Sequence, residues 1–142
     1  MSRSGYSEDC DGWSLIRWRG AVASAIRGKR GQAFWREMLA ALDAIPDKRL
    51  VPEELVMPDG DVCALGAVGV ARKMDMSKID PEDHEGVAAA FQIPHALACE
   101  VMWENDETYW NDTPEKRYER MRKWVESHLK PDPAASVEAQ TP

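Results

Sequence analysis

The residues best placed for chemistry are a histidine and a cysteine four positions apart. His95 and Cys99 lie in a segment predicted to be helical, where this spacing lets two side chains share a metal ion. His84 and Cys63 lie elsewhere in the sequence and could add ligands to such a site only if folding brought them close to it. A structural zinc site needs about four ligands, and no second pair has metal-like spacing. We therefore expect no metal, with Cys99 buried and His95 on the surface or capping the helix.

Two other reaction types have less support in the sequence. Cys63 lies near the start of a predicted helix, where a thiolate could act as a nucleophile, but its apolar neighbours favour a structural cysteine. Acids in predicted loops could hold a hard cation or act as paired carboxylates, yet they lack the calcium-loop spacing. These acids are Asp59, Asp61, Glu104, Asp106, Glu107 and Asp112. We expect no catalytic residue and no cofactor.

A positively charged glycine turn is the candidate for binding phosphate. Arg27, Lys29 and Arg30 surround Gly28 and Gly31, and the arrangement resembles the Gly-x-x-Gly clamp by which KH domains hold a nucleic-acid backbone. A KH domain also has a strand before its first helix, where this chain has a polar arm. A nucleic-acid-binding turn and an ordinary basic turn both remain open.

The elements that position these residues are predicted to be helices. Residues 13–45 should form two amphipathic helices joined by the glycine turn, and the second should end at Pro46. Their apolar residues recur at spacings of three and four, namely Leu15, Trp18, Val22, Ala25 and Ile26, then Phe34, Met38, Leu42 and Ile45. A short turn favours antiparallel neighbours, so we predict a helical hairpin.

Further helices follow from capping residues and prolines. An Asp-Pro pair at 80–81 should begin a helix that ends near Phe91. An Ile-Pro pair at 93–94 should start the next helix, which runs to Trp103. A Thr-Pro pair at 113–114 should open the last one.

Residues 48–72 can be interpreted in more than one way. Asp59 and Gly60 form a turn signal that allows a short β-hairpin. Residues 62–71 are apolar and small, which predicts a short buried helix, although a buried strand also fits. Gly66 and Gly69 lack the lysine of a phosphate loop, so we interpret them as a packing contact. The fold class expected is mainly α, a small helical domain over residues 1–130 with a disordered tail over residues 131–142.

Composition and charge restrict the function classes. The three cysteines are an odd number without a leader-like segment, which favours a reducing cytoplasm, and no apolar run is long enough for a bilayer. The net charge of −7 divides into +3 over residues 1–50, −12 over residues 51–115 and +2 over residues 116–142. An acidic middle region with several tryptophans could bind a basic partner. The candidate residues are Asp59, Asp61, Trp103, Glu104, Asp106, Glu107 and Trp110.

Five further stretches of the sequence are SRSGY (2–6), RWRGAVASAIRGKRGQ (17–32), DGDVCALGA (59–67), NDE (105–107) and ERMRKWV (119–125). Taken together, they resemble small uncharacterised proteins of tailed bacteriophages and prophages. The resemblance extends over residues 2–130 and implies a host bacterial cytoplasm. Small phage proteins often bind host machinery or block host defence, but the resemblance implies no activity and no site residues.

Two functions from different classes follow. The first is a non-enzymatic phage accessory protein that binds a host or defence-system macromolecule, most readily a host or phage protein, through the acidic and tryptophan-bearing surface. The alternative is a nucleic-acid-binding module that uses Arg27, Lys29 and Arg30. A small hydrolase or metal enzyme ranks below both. We expect no membrane role, and a homodimer is an open alternative.

Overall fold

The computed structural model describes residues 12–106 and 112–130, and within these residues the fold is mainly helical, as predicted. Its helices are α1 (Gly12–Arg27), α2 (Lys29–Ala44), α3 (Ala64–Ala71), α4 (His84–Phe91), α5 (His95–Asp106) and α6 (Pro114–His128). A short 3-10 helix (Met76–Lys78) lies between α3 and α4. The predicted arm, the predicted tail, Glu107 and Trp110 lie outside the described residues.

Helices α1 and α2 are separated by a single residue. Gly28 has extended backbone angles, with φ −67° and ψ 165°, and so interrupts the helical path. Gly31 lies so close to the end of α1 that a Cβ there would collide with the carbonyl oxygen of Ala25. The two helices and the turn thus lie where the sequence indicated, and their antiparallel packing stays a prediction.

Helix α2 contributes the largest side chains of the core. Trp35, Met38 and Leu42 are fully buried, and α2 packs against both α3 and α6. Helix α5 connects the other helices to the unit formed by α2, α3 and α6, because it packs against α1, α3, α4 and α6. The predicted short buried helix at residues 62–71 is confirmed as α3, which buries Ala64 to Gly69.

The segment between α2 and α3 is irregular and runs along the edge of the hydrophobic core. Val56 and Val62 form an isolated antiparallel bridge around the turn at Gly60, which has a φ of +94°. No strand longer than this bridge occurs among residues 12–106 and 112–130. The Asp-Gly turn signal was therefore interpreted correctly as a reversal, and the longer β-hairpin it allowed is not present in this part of the chain.

The start of α6 agrees with the position predicted from the sequence, and the start of α4 differs from it. Thr113 caps α6 by accepting a hydrogen bond from the Lys116 N–H, as the Thr-Pro pair predicted. Helix α4 begins at His84, later than the Asp-Pro pair suggested, because Asp83 is the residue that caps it. Asp80 instead accepts a hydrogen bond from the Glu82 N–H in a tight turn.

Candidate functional site

Four cations gather at the turn between α1 and α2. Arg27, Lys29 and Arg30 are all exposed. Lys130, which follows α6, donates a hydrogen bond from its Nζ to the backbone carbonyl of Arg27 at 3.2 Å. We call these four residues the basic turn. The end of α6 therefore adds one positive charge to the three that the sequence indicated.

The arginines of the basic turn differ from most arginines elsewhere in the structure. Four others hold carboxylates at 2.6–2.8 Å, and these pairs are Arg49 with Asp61, Arg72 with Glu37, Arg120 with Asp112 and Arg122 with Asp43. A fifth, Arg117, is buried and donates to the carbonyl oxygens of Asn105 and Leu50. Within the described part of the chain, no carboxylate pairs with Arg27, Lys29 or Arg30.

Helix α2 begins at this turn without a side-chain cap. Gly28 occupies the N-cap position and has no side chain to accept a hydrogen bond from the first N–H groups of the helix. An open groove of about 400 Å³ adjoins them. Small residues line most of it, and its walls are Ala21, Ser24, Ala25, Gly28, Lys29, Arg30, Gly31 and Pro94. The turn therefore combines exposed cations, uncapped N–H groups and open space.

The predicted acidic surface is largely engaged in internal contacts. Asp61 pairs with Arg49, and Glu104 pairs with Arg120. The Asp106 carboxylate accepts hydrogen bonds from the Asn105 side chain and from the backbone of residue 53. Trp103 is half-buried in α5, and Asp59 is the exposed member of the described set. Asp106 links α5 to the segment before α3, whereas Asp61 pairs within that segment and Glu104 pairs with Arg120 of α6. The described acids of this set therefore do not form one continuous exposed acidic face.

A histidine pair and a buried cysteine converge where α4 meets α5. The Nδ1 atom of His84 is in contact with the Nε2 atom of His95, and their rings stack with centroids 4.6 Å apart. One ligand atom from each of His84, His95 and Cys99 lies within 4.8 Å of the others. Helix α5 therefore folds back on α4 and brings His84 to the pair that the sequence had indicated.

The surroundings of this cluster affect its protonation. Burial, followed by the charge on His84, lowers the pKa of His95, so its imidazole favours the neutral form. Burial raises the pKa of the Cys99 thiol to about 12, with the charges of Glu100 and Glu85 adding to the effect. The sequence favours a position for His95 on the surface or capping the helix; in the structure His95 is the first residue of α5, and its ring is half-buried against Trp18. The predicted burial of Cys99 is confirmed.

Cys63 has a structural position, as the sequence indicated. It is fully buried, and its Sγ accepts a hydrogen bond from the Gly66 N–H at the start of α3. The metal-like cluster found among the described residues does not include it.

Comparisons of the chain with protein-family models, with curated proteins and with solved structures found no match. In the described part of the chain, no helix has the length and apolar character needed to cross a bilayer.

Proposed function

We propose that this protein binds nucleic acid, without catalysing a reaction, by contacting the phosphate backbone through the basic turn. The observation that carries the proposal is the exposure of Arg27, Lys29 and Arg30 without a carboxylate partner in the described part of the chain. In the same molecule, four other arginines are held in ion pairs. Cations left accessible in this way are available to an external anion.

The start of α2 supports the same ligand. The positive end of a helix dipole and its free N–H groups attract anions, and phosphate groups bind at such positions. Gly28 allows a backbone to approach closely because it carries no side chain. Residues 51–115 carry a net charge of −12 and would repel nucleic acid, so we expect the contact to be made by the basic turn.

The test is a fluorescence-anisotropy titration of labelled single- and double-stranded DNA and RNA with the full chain. We expect the triple variant Arg27→Ala, Lys29→Ala, Arg30→Ala to lose most of the affinity, because each phosphate contact removed also removes its counterion release. The matched control is Lys78→Ala, Lys116→Ala, Lys123→Ala, which removes three exposed charges away from the turn. Lys116 lies at the opposite end of α6 from Lys130.

Equal affinity of the triple variant and the parent chain would contradict this proposal. Equal loss in both triple variants would also contradict it, since net charge rather than the turn would then govern binding. A circular dichroism spectrum and a melting curve of each variant separate lost binding from lost folding.

A protein partner in a host bacterium is the second candidate function, and one observation favours it. Val56 and Met57 are exposed apolar residues beside exposed Asp59 in the turn between α2 and α3. An apolar tip next to a carboxylate suits a partner surface with a basic rim. We call residues 56–60 the loop tip.

Affinity capture from bacterial lysate tests the loop tip. The double variant Met57→Ser, Asp59→Lys should lose a partner that the parent chain retains. Val70→Ser is the matched control, because Val70 is also an exposed apolar residue but belongs to α3. Capture of the same proteins by all three chains would contradict a role for the loop tip. Sedimentation of the parent chain tests the alternative of a homodimer.

A further inference from the structure

The cluster of His84, His95 and Cys99 is built by the fold rather than by a local motif. His84 is the first residue of α4, and His95 is the first residue of α5. Gln92 ends α4 in the left-handed conformation, and Pro94 precedes α5, so the chain reverses within three residues. Cys99 then lies one turn beyond His95 on the same face of α5.

We infer that His84, His95 and Cys99 form a binding site for a single divalent transition-metal ion, with zinc as the expected occupant. Two imidazoles and a thiolate are the ligand types that zinc prefers, and the Cys99 thiol would release its proton to solvent when the ion binds. Their ligand atoms lie within 4.8 Å of one another. Ligand atoms in a tetrahedral zinc site are about 3.3–3.6 Å apart, so closing the cluster requires shifts of about 1 Å.

The histidine rings must turn for this ion to bind. In the stack the nitrogen lone pairs lie in two nearly parallel ring planes, whereas a shared ion requires both lone pairs to point at one position. Both rings are only half-buried, so they can rotate about their side-chain bonds while the helices stay in place. Contact between two imidazole nitrogens also requires one proton between them, and a metal ion can replace that proton in holding the two nitrogens together.

The ligand count indicates the kind of site. Three protein ligands leave a fourth tetrahedral position for water or another small ligand, as in metal sites that bind a substrate.

The carboxylate of Glu85 acts on both His95 and Cys99 through its charge and would favour a cation there. Trp18 lies with its ring 5.6 Å from the His95 ring, so its fluorescence should respond when the histidine moves. This inference does not depend on nucleic-acid binding.

The test is a titration of the reduced, chelator-treated full chain with Co²⁺, followed by competition with Zn²⁺. We expect one Co²⁺ per chain, a thiolate-to-cobalt charge-transfer band, the strong d–d absorption of tetrahedral cobalt, and displacement by Zn²⁺. Cys99→Ser should remove the charge-transfer band. His84→Ala should weaken Co²⁺ binding by at least about tenfold, and its folding is safeguarded because His84 is only half-buried.

The matched controls remove a cysteine and a histidine outside the cluster. Cys63→Ser and His128→Phe should bind Co²⁺ like the parent chain, and the melting temperature should rise with Zn²⁺ in these variants but not in His84→Ala. The inference is overturned if the parent chain shows no thiolate band. It is equally overturned if His84→Ala binds Co²⁺ as tightly as the parent chain, or if the control variants lose binding to the same degree.

Discussion

At the scale of single residues, Asn105 connects three parts of the structure. Its side-chain oxygen accepts from the N–H of Ala64, the first residue of α3, at 3.1 Å. Its amide nitrogen donates to the carbonyl oxygen of Val51 at 3.0 Å, and Arg117 donates to its backbone carbonyl at 2.9 Å. A buried polar group is costly only when it lacks partners, so this network stabilises the irregular segment before α3.

Replacing Asn105 by alanine should therefore destabilise the fold. The N–H of Ala64 and the carbonyl oxygen of Val51 would lose their side-chain partner, and we expect the free energy of unfolding to fall by about 2–4 kcal/mol. Urea denaturation followed by circular dichroism measures the change. Glu119→Ala, at an exposed position on α6, is the control and should stay within about 0.5 kcal/mol. A similarly small effect for Asn105→Ala would show that the network is dispensable.

His128 should make stability depend on pH. Its ring packs against Trp35 and Trp124, its Nε2 atom is buried without a hydrogen-bond partner in the described structure, and burial lowers the pKa of the imidazole. The unfolded chain binds a proton near pH 6.5, where folded His128 is still neutral. The free energy of unfolding should therefore fall as pH falls through about 6.5, then level off below the folded pKa.

Comparing the parent chain with His128→Phe isolates this contribution. The pKa of His95 is also lowered, but His95 is present in both chains and its effect cancels in the difference. Between about pH 7.5 and 5.5, urea midpoints of the parent chain should decrease more than those of the variant. Parallel curves would mean that His128 does not contribute to the pH dependence.

At the scale of elements, two helical glycines should respond oppositely to the same substitution. A Cβ at Gly20 in α1 would meet no heavy atom within 4 Å, whereas a Cβ at Gly66 in α3 would collide with the carbonyl oxygen of Leu55. Gly20→Ala should stabilise the chain by about 0.5–1 kcal/mol, because alanine favours helix. Gly66→Ala should destabilise it by about 1–3 kcal/mol, because α3 must move away from residue 55.

Thermal and urea unfolding of the two variants measures these effects, and each variant serves as the control for the other. Stabilisation by both substitutions would mean that α3 does not approach residue 55 closely. The result also bears on the interpretation of Gly66 and Gly69 as packing positions rather than a phosphate loop. A Cβ at Gly69 would likewise collide with a side chain, that of Met76.

The sequence predicted which segments are helical better than it predicted where each helix starts or which elements it packs against. The apolar spacing of α2 predicted its buried face correctly because periodicity reflects burial directly. The start of α4 was misplaced because Asp80 and Asp83 are both able to cap, and only the path of the loop selects Asp83. Local signals of equal strength cannot resolve such a choice.

The candidate sites differ in how many of their residues can be predicted from the sequence alone. Arg27, Lys29 and Arg30 are contiguous and polar, so their exposure followed from the pattern, whereas the approach of Lys130 depended on where α6 ends. His84 meets His95 and Cys99 only because α5 turns back on α4. The sequence predicted that the acidic residues were available to a basic partner. The structure instead pairs Asp61 and Glu104 with arginines that lie 12 and 16 positions away.

At the scale of the whole molecule, charge is unevenly distributed along the chain. The net charge of −7 combines +3 over residues 1–50 with −12 over residues 51–115. Seven carboxylates in the described structure pair with arginines of the same chain, whereas Arg27, Lys29 and Arg30 have no carboxylate partner there. We therefore expect a polyanion to contact the basic turn and to be repelled by the acidic residues that stay exposed.

The salt dependence of binding tests this account most directly. The logarithm of the binding constant for a labelled oligonucleotide should fall linearly with the logarithm of salt concentration, with a slope of roughly −2 to −4 for three or four phosphate contacts. The triple variant at Arg27, Lys29 and Arg30 should bind more weakly and with a slope between about 0 and −1, because at most the Lys130 contact remains, while the control at Lys78, Lys116 and Lys123 keeps the parent slope. Absence of salt-sensitive binding by the parent chain, or an unchanged slope in the turn variant, would contradict the proposal that the basic turn binds nucleic acid.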